Sequence, residues 1–106
     1  MPGSLDGRTA LITGSGSGMG RSHARLMAER GAGVIVHDVD AEGANQTADM
    51  LREAGTMATV MVADIRDVTG FGAALRVAED EVGAVDTLGE VWAQAQRVMI
   101  PSVVLR

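Results

Sequence analysis

At 106 residues, 46% of them apolar, the chain is sized for one small domain and is not composed like a disordered segment. One Phe, one Trp and no Tyr leave an aliphatic core of Val, Leu, Ile and Ala with seven Met. A net charge of −5 speaks against nucleic acid as partner, zero cysteines exclude disulfides and thiolate metal sites, and no run approaches the roughly 20 apolar residues that cross a bilayer.

Taken in chain order, the segments alternate in kind. Thr9 to Thr13 (T-A-L-I-T) is a short apolar run stopped by glycines, which suits a strand of a buried parallel sheet. Ser17 to Arg30 has helical composition, with Gly31 as its stop. Gly33 to His37 (G-V-I-V-H) is a second strand, rich in β-branched residues. Asp40 is placed to cap a helix running to about Ala54, with Ala44, Ala48 and Leu51 on one face and Gly55 after it. Met57 to Val62 is a third strand. Asp67 is placed to cap a third helix, whose Val68, Phe71, Leu75, Ala78 and Val82 form an apolar stripe closed by Gly83. Beyond that, Ala84 to Leu88 has the composition of a fourth strand and Gly89 to Arg97 of a short helix. Val98 to Leu105 is strand-like, but Pro101 restricts it to an edge strand or an extended tail. The β-α-β-α-β-α order predicts an α/β fold: a Rossmann-like parallel sheet with right-handed crossovers, in three αβα layers.

The first strand runs into T-G-S-G-S-G-M-G, Thr13 to Gly20. A turn that cradles a pyrophosphate needs such residues: Gly14 for the tight turn, Gly18 so that backbone approaches the phosphates, Gly20 so that helix packs on strand. The N–H groups at the helix start favour the negative charge. A glycine run alone is equally a flexible turn. Here it follows a strand, opens a helix, and is answered by Asp38, 24 residues after Gly14 at the end of the next strand. A Walker-type loop needs Gly-Lys, and the chain has no lysine.

Thr13-Gly14-x-x-x-Gly18-x-Gly20, with L-D-G-R-T-A-L-I-T before it and V-I-V-H-D-V-D and V-A-D-I-R-D after it, resembles the short-chain dehydrogenase/reductase family from about Leu5 to Leu88. The resemblance implies that Met19 offers a backbone N–H to the pyrophosphate and that Ser17 bonds near the adenosine ribose or phosphate. It implies that Asp38 accepts the ribose hydroxyls and Asp64 the adenine amino group, with the Ile65 N–H on the ring. Asp38 repels a 2′-phosphate, and neither Val39 nor Ser17 carries the basic side chain that NADP-using relatives often place there. NAD is therefore the expected cofactor. Neither His23 nor His37 is expected to do chemistry, and no metal site is expected.

The family's Asn-Asn-Ala-Gly motif is absent after G-A-V-D-T-L, and no Tyr-x-x-x-Lys exists in a chain without Tyr or Lys. No residue inherits a catalytic role. The expectation is a dinucleotide-binding half-domain over residues 1–88 and a divergent tail over 89–106. A truncated gene product, a frameshift after Leu88 or a member that kept only the binding half would each fit. The expected function is NAD binding by an oxidoreductase relative that does not catalyse alone. The alternative is a structural or oligomerisation module that no longer binds cofactor. With no apolar signal-peptide core at the N-terminus, a cytoplasmic protein is expected, without membrane contact. A chain that stops early leaves the sheet open beside its first strand, which predicts self-association, as a homodimer whose interface includes residues from Ala84 onward.

Overall fold

The computed structural model describes residues 5–64 and 66–83, and the backbone of residues 103–105. Its elements are β1 (Thr9–Ile12), α1 (Gly18–Glu29), β2 (Gly33–Asp38), α2 (Ala41–Glu53), β3 (Ala58–Val62), α3 (Val68–Val82) and β4 (Val103–Leu105). The sheet order is β3-β2-β1-β4. β1 pairs in parallel with β2, and β2 with β3, so the first three strands and their helices form the expected Rossmann-like unit.

Side-chain alternation along the strands divides the core. Ala10, Ile12, Val34 and Val36 face α1 and α2, where they meet Ala24, Ala44, Ala48 and Leu51. Leu11, Ile35 and Met61 face the other way and meet Ala78, with Phe71, Ala74 and Leu75 of α3 packed around them. Register makes this division strict: Ala10 pairs with Val34, Leu11 with Ile35 and Ile12 with Val36, so like faces adjoin. Small residues line the helix surfaces that touch the sheet, which brings α1 and α2 close to it.

Both of those helices end as their glycines suggest. The Gly31 N–H donates to Ala28 O and the Ala32 N–H to Met27 O; around Gly55, the Gly55 N–H donates to Arg52 O and the Thr56 N–H to Leu51 O. This paired pattern satisfies carbonyls left free at a helix C-terminus. At the start of α3 the Asp67 carboxylate accepts the Gly70 N–H at 3.1 Å, the cap expected there.

Three expectations need correction. Asp40 precedes α2, but its side chain makes no capping bond; its backbone N–H donates instead to Asp38 Oδ1 at 3.1 Å. Val68 is 80% exposed, because the first turn of α3 has not yet reached the sheet, so the apolar stripe begins at Phe71. Met57 lies outside β3 and is exposed. Within the tail, residues 103–105 form an edge strand, as Pro101 suggests, but it runs antiparallel to β1, with Leu11 opposite Val104. The side of the sheet expected to stand open is thus paired by the chain's own tail. The strand and helix expected over 84–97 lie outside the described residues.

Candidate functional site

β1 and β2 end, and β3 ends beside them, at one edge of the sheet. The Thr13–Ser17 loop and Asp64 follow the ends of β1 and β3, and Asp38 is the last residue of β2, so topology alone gathers them. Crevices outside the carboxyl ends of parallel strands are where α/β sheets bind ligands.

The loop from β1 to α1 is anchored from within. Ser15 is fully buried; its N–H donates to His37 O at 2.8 Å, and its hydroxyl donates to Ile12 O at 2.7 Å and accepts the His37 N–H at 3.1 Å. These bonds continue the β1–β2 ladder beyond its last strand pair. The Gly16 N–H donates to Asp38 Oδ2 at 2.9 Å, so loop and acid are joined directly. A Cβ on Gly16 would press against that carboxylate oxygen at 2.7 Å and against the Ala44 nitrogen of α2 at 3.0 Å. Gly43 is close-packed for the same reason, since a Cβ there would lie 2.7 Å from Gly16 O. A Cβ on Gly20 would lie on the Gly14 carbonyl, so only glycine lets α1 start where it does.

The outer surface of the loop has the opposite character. Gly14, Ser17, Gly18 and Met19 are exposed, while Ser15, Gly16 and Gly20 are buried. Gly14 and Gly18 have φ of 67° and 55°, in the left-handed region that glycine tolerates. A Cβ on Gly18 would meet nothing within 4 Å, so the space before it is clear. Ser17, at the helix N-cap, makes no side-chain capping bond, and no acid stands in the first turn of α1. Uncapped N–H groups without a competing carboxylate, beside bare backbone, fit an anionic phosphate group.

Asp38 is half-buried, with Oδ2 held by Gly16 and Oδ1 by Asp40, so its orientation is set by backbone donors. Val39 beside it is exposed and brings no charge. Asp64 follows β3 and is engaged by Arg66: Nε lies 3.0 Å from Oδ1, and Nη2 lies 2.7 Å from Oδ2. Hydrogen bonds from the Arg66 side chain and backbone hold the Asp64 carboxyl down to about 2, against an ordinary 3.8. The bond also raises the Arg66 guanidinium above its usual value. Ile65 lies outside the described residues.

Sequence reasoning missed the residues that support the loop. Arg21 donates from Nε to Thr47 Oγ1 at 2.8 Å and from Nη2 to Gly16 O, and the Thr47 hydroxyl donates to Ser15 O at 2.8 Å. Arg21 and Thr47 stand 26 residues apart on different helices, so no local spacing signals the pair. His37 packs in the interior. It is buried, its Nε2 lies 2.7 Å from Ala63 O, and its ring meets Phe71 edge-on at 5.1 Å. A groove of about 560 Å³ lies at the far ends of α1 and α2, lined by Arg25, Ala28, Met50 and Thr56 among others, away from the glycine loop.

The family model for short chain dehydrogenases matches residues 8–99. The chain is 44% identical over 81 residues to the cis-4-hydroxycyclohexanecarboxylate dehydrogenase of Sinomonas cyclohexanicum, an alignment covering 76% of this chain and 32% of that protein. Among solved structures it resembles a 7α-hydroxysteroid dehydrogenase complexed with NADH and 7-oxo glycochenodeoxycholic acid, with a TM-score of 0.73 and 37% identity over 79% of this chain and 33% of that one. It also resembles a gluconate 5-dehydrogenase from Burkholderia cenocepacia in complex with NADP and tartrate, with a TM-score of 0.70 and 43% identity over 79% of this chain and 33% of that one. The chain spans about a third of the length of the curated relatives it matches.

Proposed function

Because this chain belongs to the short-chain dehydrogenase family, an oxidoreductase family, we propose that it binds NAD through the Thr13–Gly20 loop and Asp38. The observation that carries the reading is the Gly16 N–H bond to Asp38 Oδ2, which holds a carboxylate at the end of β2 against a loop with an exposed, uncapped helix start. In this reading Gly14, Gly18, Gly20 and the Met19 N–H form the phosphate cradle, Ser17 lies beside it, and Asp38 accepts the ribose hydroxyls. Val39 adds no charge for a 2′-phosphate. The same reading assigns the adenine end to Asp64, whose carboxylate Arg66 shares, and to the Ile65 N–H. NAD bound there would supply a hydride acceptor; this chain's own residues would bind and orient the adenosine end.

The 106 residues hold no Tyr and no Lys to handle the proton of an alcohol, so they are expected to bind without turning over. A cytoplasmic setting, where NAD is abundant, belongs to the same reading. So does a homodimer, now through the outer side of β4 and the residues from 84 onward.

Calorimetric titration with NAD, NADP and AMP tests the proposal. NAD is expected to bind more tightly than NADP, and Asp38→Asn, which keeps an oxygen for the Gly16 N–H but removes the charge, is expected to narrow the gap. Tighter binding of NADP by the unaltered chain would overturn the assignment of Asp38. Incubation with NAD and a panel of secondary alcohols is expected to leave the reduced-nicotinamide absorbance flat.

A further inference from the structure

We propose that Arg21 is a positioning residue of the nucleotide site, which fixes the inner side of the glycine loop and places a positive charge behind it. The proposal rests on the reading of that loop as a phosphate cradle. Arg21 stands in the first turn of α1, and its guanidinium turns back under the loop rather than out to solvent. Nη2 donates to the carbonyl of Gly16, and to Gly43 O and Gln46 Oε1 at 3.3 Å each. Nε donates to the Thr47 hydroxyl, which donates in turn to the Ser15 carbonyl.

Two consecutive peptide units are thereby held. The Ser15–Gly16 unit is fixed at both ends, its carbonyl by Thr47 and its N–H by Asp38. In the Gly16–Ser17 unit the carbonyl is fixed by Arg21. A trans peptide is planar with its N–H opposed to its C=O, so holding the Gly16 carbonyl aims the Ser17 N–H away from the guanidinium. Arg21 therefore sets the direction of a donor on the loop without touching a ligand itself.

Its charge adds to this. The partners of Arg21 are carbonyl, amide and hydroxyl oxygens, and among the described residues no carboxylate lies within ion-pair distance of it. In a chain of net charge −5, this partly buried cation stands behind the loop, across Gly16 from the Asp38 carboxylate, and raises the local potential for a diphosphate.

The test uses the 106-residue protein with Arg21→Met, Thr47→Val and Thr47→Ser. Hydrogen exchange at the Gly16 amide, referred to the Ile35 amide in β2, reads the loop without ligand. Calorimetry with ADP and with adenosine separates phosphate affinity from the rest. Arg21→Met is expected to speed Gly16 exchange relative to Ile35 and to weaken ADP about tenfold, as for one lost charge-assisted hydrogen bond, while adenosine changes less than about twofold. Thr47→Val is expected to move the same way by less, and Thr47→Ser, which keeps the hydroxyl, to behave as the unaltered protein. This pair decides the matter should Arg21→Met fail to fold. Equal losses for ADP and adenosine, or unchanged Gly16 exchange, would overturn the positioning role. If the unaltered protein binds neither ligand, the phosphate-cradle reading fails, and the exchange data alone decide whether Arg21 holds the loop.

Discussion

At the scale of single residues, glycine and aspartate do most of the work, for different reasons. Gly20 is required by contact, since its missing Cβ is the space occupied by the Gly14 carbonyl. Gly20→Ala must push the start of α1 off the loop, and is expected to destabilise the domain by about 1–3 kcal/mol, as overpacking of a tight contact does. A denaturant titration reads this directly, and an unchanged midpoint would refute the contact. Asp64 illustrates the charge side. Its folded-state carboxyl lies near 2, below the ordinary 3.8, because Arg66 bonds the ionised form. Any stability from the pair is fully present above about 4 and is lost as the pH falls through about 2. The pair is exposed, with side-chain accessibilities of 87% for Arg66 and 41% for Asp64, so solvent screens it and its effect on folding is small. Carbon NMR of the Asp64 carboxyl is expected to show the low midpoint, and Arg66→Ala to return it toward 3.8.

At the scale of elements, the helices show why an acid before a helix is not always a cap. Asp67 and Asp40 occupy the same N-cap position, yet only Asp67 bonds a helix N–H with its side chain. Asp40 follows Asp38 by two residues, and Asp38 Oδ1 takes its backbone N–H, tying that stretch to the site instead. Asp67→Ala is therefore expected to cost about 1 kcal/mol and Asp40→Ala less, measured by thermal or denaturant unfolding. A reversed order would show that the α3 cap contributes nothing. The first three strands and the three helices after them were legible because glycine, β-branched runs and apolar spacing act locally. Val68 misled because spacing records which face a residue occupies, and not whether the sheet extends far enough to cover it.

At the scale of the whole molecule, β4 changes the argument about assembly. The side of the sheet beside β1, expected from the sequence to stand open, is filled in cis by Val103–Leu105. Three residues make a short edge strand, and edge strands of a sheet still present unpaired N–H and C=O groups. Light scattering of the full chain is expected to report a dimer, and removal of residues 103–106, which bares β1 itself, to shift it to larger species. A monodisperse monomer in both would rule out self-association through this side of the sheet.

Sequence by itself determined the three β-α units, their parallel order, the glycine loop and the acid that answers it, since each depends on residues close in the chain or on a single crossover. Tertiary structure alone decided the rest. Arg21 reaches Thr47 on the next helix, Gly16 and Gly43 pack loop against α2, and a strand from the far end of the chain lies antiparallel on β1. Such contacts join segments tens of residues apart. Their partners are set by how the layers pack, and a one-dimensional pattern carries no record of that.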